Sequence, residues 1–171
     1  MEVVDFPPFY TIQPVEATRE KQLELWRQVI LKDCQSSFVL DVATFPAFSN
    51  SKINRSLDTD DRRTVCESLV MRGFANWEDP KTKTRLRVYS KTPDAWASIV
   101  YDWAKMARAG GEISTLFEIR AGDDISGTEL EGIHEEVLYQ ALKILERQGK
   151  AQLFGEGSTK LDELGVKFLG V

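Results

Sequence analysis

At 171 residues, 42% hydrophobic and 29% charged, the chain has room for one ordinary domain or two small ones and too much apolar content for a disordered segment. Its net charge of -5 falls wholly on the second half: residues 1–90 carry 13 basic and 13 acidic side chains and residues 91–171 carry 9 and 14, which argues against a nucleic-acid partner held through its phosphates. No apolar run approaches the roughly 20 residues of a membrane span, and Met1-Glu2-Val3-Val4-Asp5 lacks the basic and apolar regions of a secretory signal, so the expectation is a cytosolic protein that does not insert into a membrane.

Residues 6–14, Phe-Pro-Pro-Phe-Tyr-Thr-Ile-Gln-Pro, hold three prolines in nine positions, which excludes a helix interior and predicts an extended, polyproline-like arm. Thr18 stands where an N-cap belongs, with Lys21 in place of the Glu of a capping box, and Leu23, Trp26 and Ile30 follow at helical spacing to about Asp33. Phe38-Val39-Leu40 reads as a brief strand and Pro46 to Asn50 as a helical turn. From Asp58 the acids at positions 58, 60 and 61 favour a helix N-terminus, Val65, Leu69 and Val70 face inward, and Gly73 stops the helix. A hairpin over 74–77 and 85–89 closes this half.

The same order then recurs. Thr92-Pro93-Asp94 supplies an N-cap, an N1 proline and an acidic first turn, opening a helix whose apolar side carries Trp96, Ile99, Val100, Trp103 and Met106. Ile113 begins a short strand, Leu116 to Gly122 a short helix, and 123–132 an acidic loop. Ile133 to Leu145 is an amphipathic helix stopped by Gly149, and 151–154 with 166–169 form a second hairpin around Gly155-Glu156-Gly157. Helix, strand, short helix, longer helix and hairpin, twice, is an α+β fold of two tandem winged-helix domains, each of three helices and a hairpin wing. The expected boundaries are 1–90 for the arm and first domain and 91–171 for the second.

No catalytic constellation emerges, so the protein is not expected to be an enzyme. His134 is the single histidine and reads as a solvated or capping residue, and one histidine with two distant cysteines is too few soft ligands for zinc. Cys34 and Cys66 are each expected to be small buried thiols. No phosphate-cradling glycine loop is present, the acids Asp123, Asp124, Glu129 and Glu131 miss the spacing of a calcium loop, and no cofactor or metal is expected. A winged-helix transcription factor is the rival reading. Against it stand Asp58, Asp60 and Asp61, and Glu135 and Glu136, at the helix starts that would meet DNA; Arg62 and Arg63 are the one basic pair at a suitable place.

The informative segment is Phe6-Pro7-Pro8-Phe9-Tyr10, where stiff prolines and large rings suit insertion into a partner's groove. Pro7-Pro8-Phe9-Tyr10 also matches the short pattern that WW domains accept, and an arm folded back on its own domain is the plain alternative. Taken with Thr18-Arg19, Gln22-Leu23, Trp26, Gly73, Asn76-Trp77, Lys91 to Trp96, Trp103, Thr115 to Ile119 and Gly165 to Phe168, the segment resembles the small-subunit family of the endosomal sorting complex ESCRT-II over nearly the whole chain.

That resemblance implies a complex that sorts ubiquitinated membrane cargo into multivesicular bodies, peripheral to endosomal membranes, with larger partners supplying lipid and ubiquitin binding. It implies that Phe6, Pro7, Pro8, Phe9 and Tyr10 enter winged-helix domains of the two larger subunits, with two copies of this chain per complex. The second domain is implied to recruit the N-terminal helix of an ESCRT-III subunit. The acidity of that domain suits a basic helix, which singles out Asp123, Asp124, Glu135 and Glu136 as candidate contacts. Tyr10 departs from the phenylalanine of some members, keeping the ring and adding a hydroxyl that needs a partner.

Overall fold

The computed structural model describes residues 2–157 and 160–171, and most of its helices begin where a side chain can satisfy orphaned backbone N–H groups. The Asp58 carboxylate accepts from Asp61 N at 2.8 Å to open α2 (Thr59–Met71), and Thr92 Oγ1 accepts from Ala95 N at 3.3 Å to open α3 (Pro93–Ala107). Thr115 does the same for Glu118 N in α4 (Leu116–Ala121), at 3.2 Å. His134 Nδ1 accepts from Glu136 N at 3.2 Å and so caps α5 (Glu135–Arg147).

α1 is different. It spans Glu16–Leu31, with its N-cap at Val15, three residues before the expected Thr18, and Val15 makes no side-chain capping bond. Its position is set by what it buries: Gln22, Trp26 and Ile30 lie one turn apart on one face.

Backbone contacts divide the chain into Met1–Ser90 and Lys91–Val171. In the first unit β1 (Ser37–Asp41), β4 (Ala75–Trp77) and β5 (Arg85–Tyr89) form an antiparallel sheet in the order β1-β5-β4, beside a two-residue ladder of β2 (Ser49–Asn50) and β3 (Arg55–Ser56). In the second, β6 (Ile113–Thr115), β7 (Ala151–Phe154) and β8 (Gly165–Phe168) repeat that order as β6-β8-β7. The corner after the long helix recurs as well. Gly73 (φ 83°) and Gly149 (φ 74°) sit in the left-handed region, and the residue after each donates back five positions, Phe74 N to Leu69 O at 2.9 Å and Lys150 N to Leu145 O at 2.8 Å. The fold is α+β, two tandem winged-helix units. In the first, the middle helix is only a 3-10 turn, Pro46–Phe48.

Three expectations are corrected. The proline-rich segment is not extended: it forms 3-10 turns at Val3–Asp5 and Pro7–Tyr10, because proline's fixed φ suits a turn as well as polyproline and the turn lets Phe9 and Tyr10 reach the core. Met106 is 89% exposed, since α3 buries Trp96, Ala97, Val100 and Ala104 and position 106 lies about 120° round the axis from Val100. Cys66 is buried, and burial pushes its thiol up to about 12, whereas Cys34 follows the end of α1 and is half-buried.

Candidate partner-docking surfaces

The leader is divided between the core and the surface. The Phe9 ring stacks on Trp26 at 4.1 Å and 8°, and Tyr10 meets the same indole edge-on at 5.6 Å and 85°. Phe9 O accepts from Trp26 Nε1 and from Gln22 Nε2, both at 3.1 Å; Gln22 Nε2 also donates to Thr11 O at 2.8 Å, and Gln22 Oε1 accepts from Gln13 N at 3.0 Å. The buried Gln22 thus supplies a polar seat for a segment whose prolines leave carbonyls without helical partners.

Tyr10 Oη donates to Val4 O at 2.9 Å, answering the need its extra hydroxyl created, and burial raises the phenol's pKa. Val4 O also accepts from Asn50 Nδ2 at 2.7 Å, and Ile12 N donates to Asp61 Oδ2 at 3.2 Å. Phe9 and Tyr10 are buried at home, as in the folded-back alternative. Phe6, Pro7 and Pro8 are exposed, Phe6 by 51%. Beside them lies a groove of about 360 Å³, walled by Val3, Phe6, Pro8, Phe9 and Leu25 with Lys21 among its polar lining.

In the second unit the four acids singled out from the sequence differ in their engagement. Asp123 and Asp124 open a 3-10 turn, Asp123–Ile125, and Asp124 Oδ2 accepts from Arg108 Nη1 at 2.6 Å. Ile125, Leu130 and Ile133 are buried, so the acidic loop is pinned by apolar residues at intervals. Glu135 and Glu136 fill the first turn of α5, Glu136 exposed and Glu135 half-buried, where the negative charge of Glu135 helps raise the pKa of Arg120 after that group's hydrogen bonds to Asp162. Ile113 on β6 and Phe154 on β7 are exposed apolar residues on either side of β8. Gly165 lies between them: a Cβ there would stand 3.6 Å from Ile113 Cγ2 and 3.6 Å from Phe154 Cβ, ordinary contact distances, so the missing side chain leaves a methyl-sized hollow.

A family profile described as "ESCRT-II complex subunit" matches residues 3–134. The chain belongs to the ESCRT-II complex subunit family. Vacuolar protein sorting-associated protein 25 of Arabidopsis thaliana is 41% identical over 167 residues, covering 96% of this chain and 92% of the relative. The protein of that description from Homo sapiens is 34% identical over 168 residues, covering 95% and 93%. Among solved structures, the chain is similar to "Crystal structure of subunit VPS25 of the endosomal trafficking complex ESCRT-II", with a TM-score of 0.80, 24% identity and 99% and 98% of the two chains covered. It is similar at a TM-score of 0.75 to a chain of "The crystal structure of endosomal complex ESCRT-II (VPS22/VPS25/VPS36)", 24% identical and covering 96% of each. At that identity the structural likeness speaks for the fold.

The one basic pair of this ESCRT-II subunit that sequence placed at a DNA-facing helix is half spent internally. Arg62 donates to Leu57 O (2.8 Å), Val42 O (3.0 Å), Ala43 O (2.9 Å) and Ser56 Oγ (2.8 Å), and lies 5.5 Å from the Phe48 ring centroid. Arg63 is exposed. Among the described residues no group of three or more His, Cys, Asp or Glu side chains is placed to hold a metal ion, and no helix is long and apolar enough to cross a membrane.

Sequence reasoning missed Gln22 and the Ile113–Gly165–Phe154 hollow. The signal for the first was a glutamine one turn ahead of Trp26 on the apolar face of α1; the second depends on strand pairing that only the fold supplies.

Proposed function

We propose that this ESCRT-II subunit is a non-catalytic assembly adaptor of the endosomal sorting machinery. Its leader docks into winged-helix domains of two larger subunits, and two copies join each complex. It works in the cytosol, drawn peripherally to endosomal membranes through partners that bind lipid and ubiquitinated cargo. The observation that carries this reading is the exposed Phe6-Pro7-Pro8 face beside an apolar groove, on a leader otherwise held in place. An exposed ring next to two prolines loses little conformational freedom on insertion, so most of its burial is available as affinity. A solved complex described as VPS22/VPS25/VPS36, one chain of which this chain resembles in fold, lends this reading support.

The second unit recruits the N-terminal helix of an ESCRT-III subunit. Support comes from 14 acidic against 9 basic side chains in residues 91–171, together with the hollow between Ile113 and Phe154 that suits an apolar side chain of a basic amphipathic helix. Asp123, Glu135 and Glu136 are candidate acidic contacts; Asp124 is the weakest of the four because Arg108 already holds it.

Two rival readings lose ground on specific atoms. A WW domain needs an extended Pro-Pro-x-Tyr with an available tyrosine, whereas Tyr10 is buried in a 3-10 turn. A DNA reader needs its helix-start arginines free, whereas Arg62 is bonded within 3.0 Å to four groups of its own chain. The test is purification of the tagged chain from cells with identification of co-purifying proteins. The two larger ESCRT-II subunits are expected with the wild type and lost with Phe6→Ala, and their retention by that variant refutes leader docking.

A further inference from the structure

We infer that the leader works as a prefolded plug with two separate jobs: Phe9 and Tyr10 stay seated on this chain's own Trp26 throughout assembly, and only Phe6, Pro7 and Pro8, with Leu25 beside them, enter the partner. This rests on the docking reading above and deepens it, since the Phe-Pro-Pro-Phe-Tyr segment taken as a unit would send all five residues into the partner.

Both buried area and hydrogen bonds hold the two rings at home. Phe9 and Tyr10 are each 3% exposed in the chain by itself, so a partner pocket that took their rings would bury surface already buried and gain no apolar area. Pulling Phe9 out would leave Trp26 Nε1 and Gln22 Nε2, both now donating to its carbonyl, without that acceptor, and would bare the face of an indole that is now 0% exposed. Removing Tyr10 would break the bond to Val4 O, which Asn50 also holds.

Phe6 bears none of these ties. Its ring is 51% exposed, and burying it in a partner gains area while the seat around Trp26 stays whole. The side-chain hydrogen bonds that hold the turn run to the carbonyls of Pro8, Phe9 and Thr11 and to the amides of Ile12 and Gln13, backbone groups whose bonds leave the side chains of Phe6, Pro7 and Pro8 untied. Docking therefore presents a turn whose conformation is already set, which removes the ordering cost that a free peptide of the same sequence would bear.

The experiment compares full-length variants in their affinity for the larger ESCRT-II subunits, with backbone hydrogen exchange of residues 9–13 followed in the free chain and in the complex. Phe6→Ala is expected to weaken assembly roughly thirtyfold, the loss of one interface hot spot, with the chain's urea midpoint unchanged. Phe9→Leu keeps an apolar side chain in the seat and is expected to bind within about threefold of wild type. The amides of Ile12 and Gln13, held by Asp61 and Gln22, are expected to stay protected on assembly. Loss of assembly by folded Phe9→Leu comparable to that of Phe6→Ala, or loss of protection at Ile12 and Gln13 in the complex, overturns the division of labour and leaves docking intact. Unchanged affinity of Phe6→Ala overturns both.

Discussion

Arg62→Met is the substitution that most directly separates a structural arginine from a DNA-reading one, because methionine keeps the apolar stem and deletes only the donor fork. The fork joins the residues after β1 (Val42, Ala43), β3 (Ser56) and the residue before the α2 cap (Leu57), so it closes one end of the first unit. The bonds to Leu57 O and Val42 O are partly buried, while those to Ala43 O and Ser56 Oγ are exposed and water replaces them. Counting only the first two, each charge-assisted bond at about 1–1.5 kcal/mol, gives a loss of about 2–3 kcal/mol. With an m-value of about 1 kcal/mol/M for a unit of this size, the urea midpoint falls by about 2–3 M.

The assay is pulsed thiol labelling of Cys66, which lies in the core of this unit and reacts only when it opens, in a Cys34→Ser background. Arg63→Met is the control and is expected to shift stability by less than about 0.5 kcal/mol. A midpoint for Arg62→Met within about 0.3 M of its parent, with m near 1 kcal/mol/M, refutes the structural assignment; loss of salt-sensitive DNA retention by the same variant would replace it with the nucleic-acid reading.

Further outcomes follow from the same geometry. Gly165→Ala places a methyl at ordinary contact distance from Ile113 and Phe154 on a strand without positive φ, so stability is expected to rise by about 0.5 kcal/mol while capture of a basic ESCRT-III N-terminal helix weakens; equal capture by calorimetry argues that the hollow is not used. The hydrogen bond from Arg27, aided by Arg72, lowers the Glu24 carboxyl from 4.5 to about 2, and the sign is that of a depressed acid: its contribution is complete above about pH 4.5 and is lost as the pH falls toward 2. Urea midpoints between pH 6 and pH 3 are therefore expected to fall less steeply for Glu24→Gln than for the wild type. Native labelling with a maleimide at pH 8 is expected to modify Cys34 well before Cys66, whose thiol burial holds at about 12, and mass spectrometry of the peptides reads the order.

The parts of the fold legible in the sequence are those decided within a few residues. Thr92-Pro93-Asp94 and Asp58 fix their helix starts through bonds three residues long, and Gly73 and Gly149 end theirs because the corner needs positive φ. The start of α1 was not legible, since Val15 caps nothing and the helix is placed by Gln22 and Trp26 gripping the leader. The short strands at Phe38 and Ile113 were legible but their partners were not: Ser37 pairs with Tyr89 and Ile113 with Lys167 across some fifty intervening residues, and nothing local encodes that choice. For the leader, composition singled out the segment but could not apportion its rings. Phe6 and Phe9 are the same residue type three positions apart, and only the location of Trp26 separates the displayed one from the seated one.

The strand order of the two sheets bears on how the chain is made. In each unit the middle strand is the last to be synthesised, β5 in one and β8 in the other. A ribosome must therefore deliver residue 89 before the first sheet can close, and residue 168 before the second can. The earlier unit is free to mature while its duplicate is still being translated, so a stall within residues 116–164 would strand β6 as an unpaired edge beside an already finished neighbour, a state for chaperones to guard.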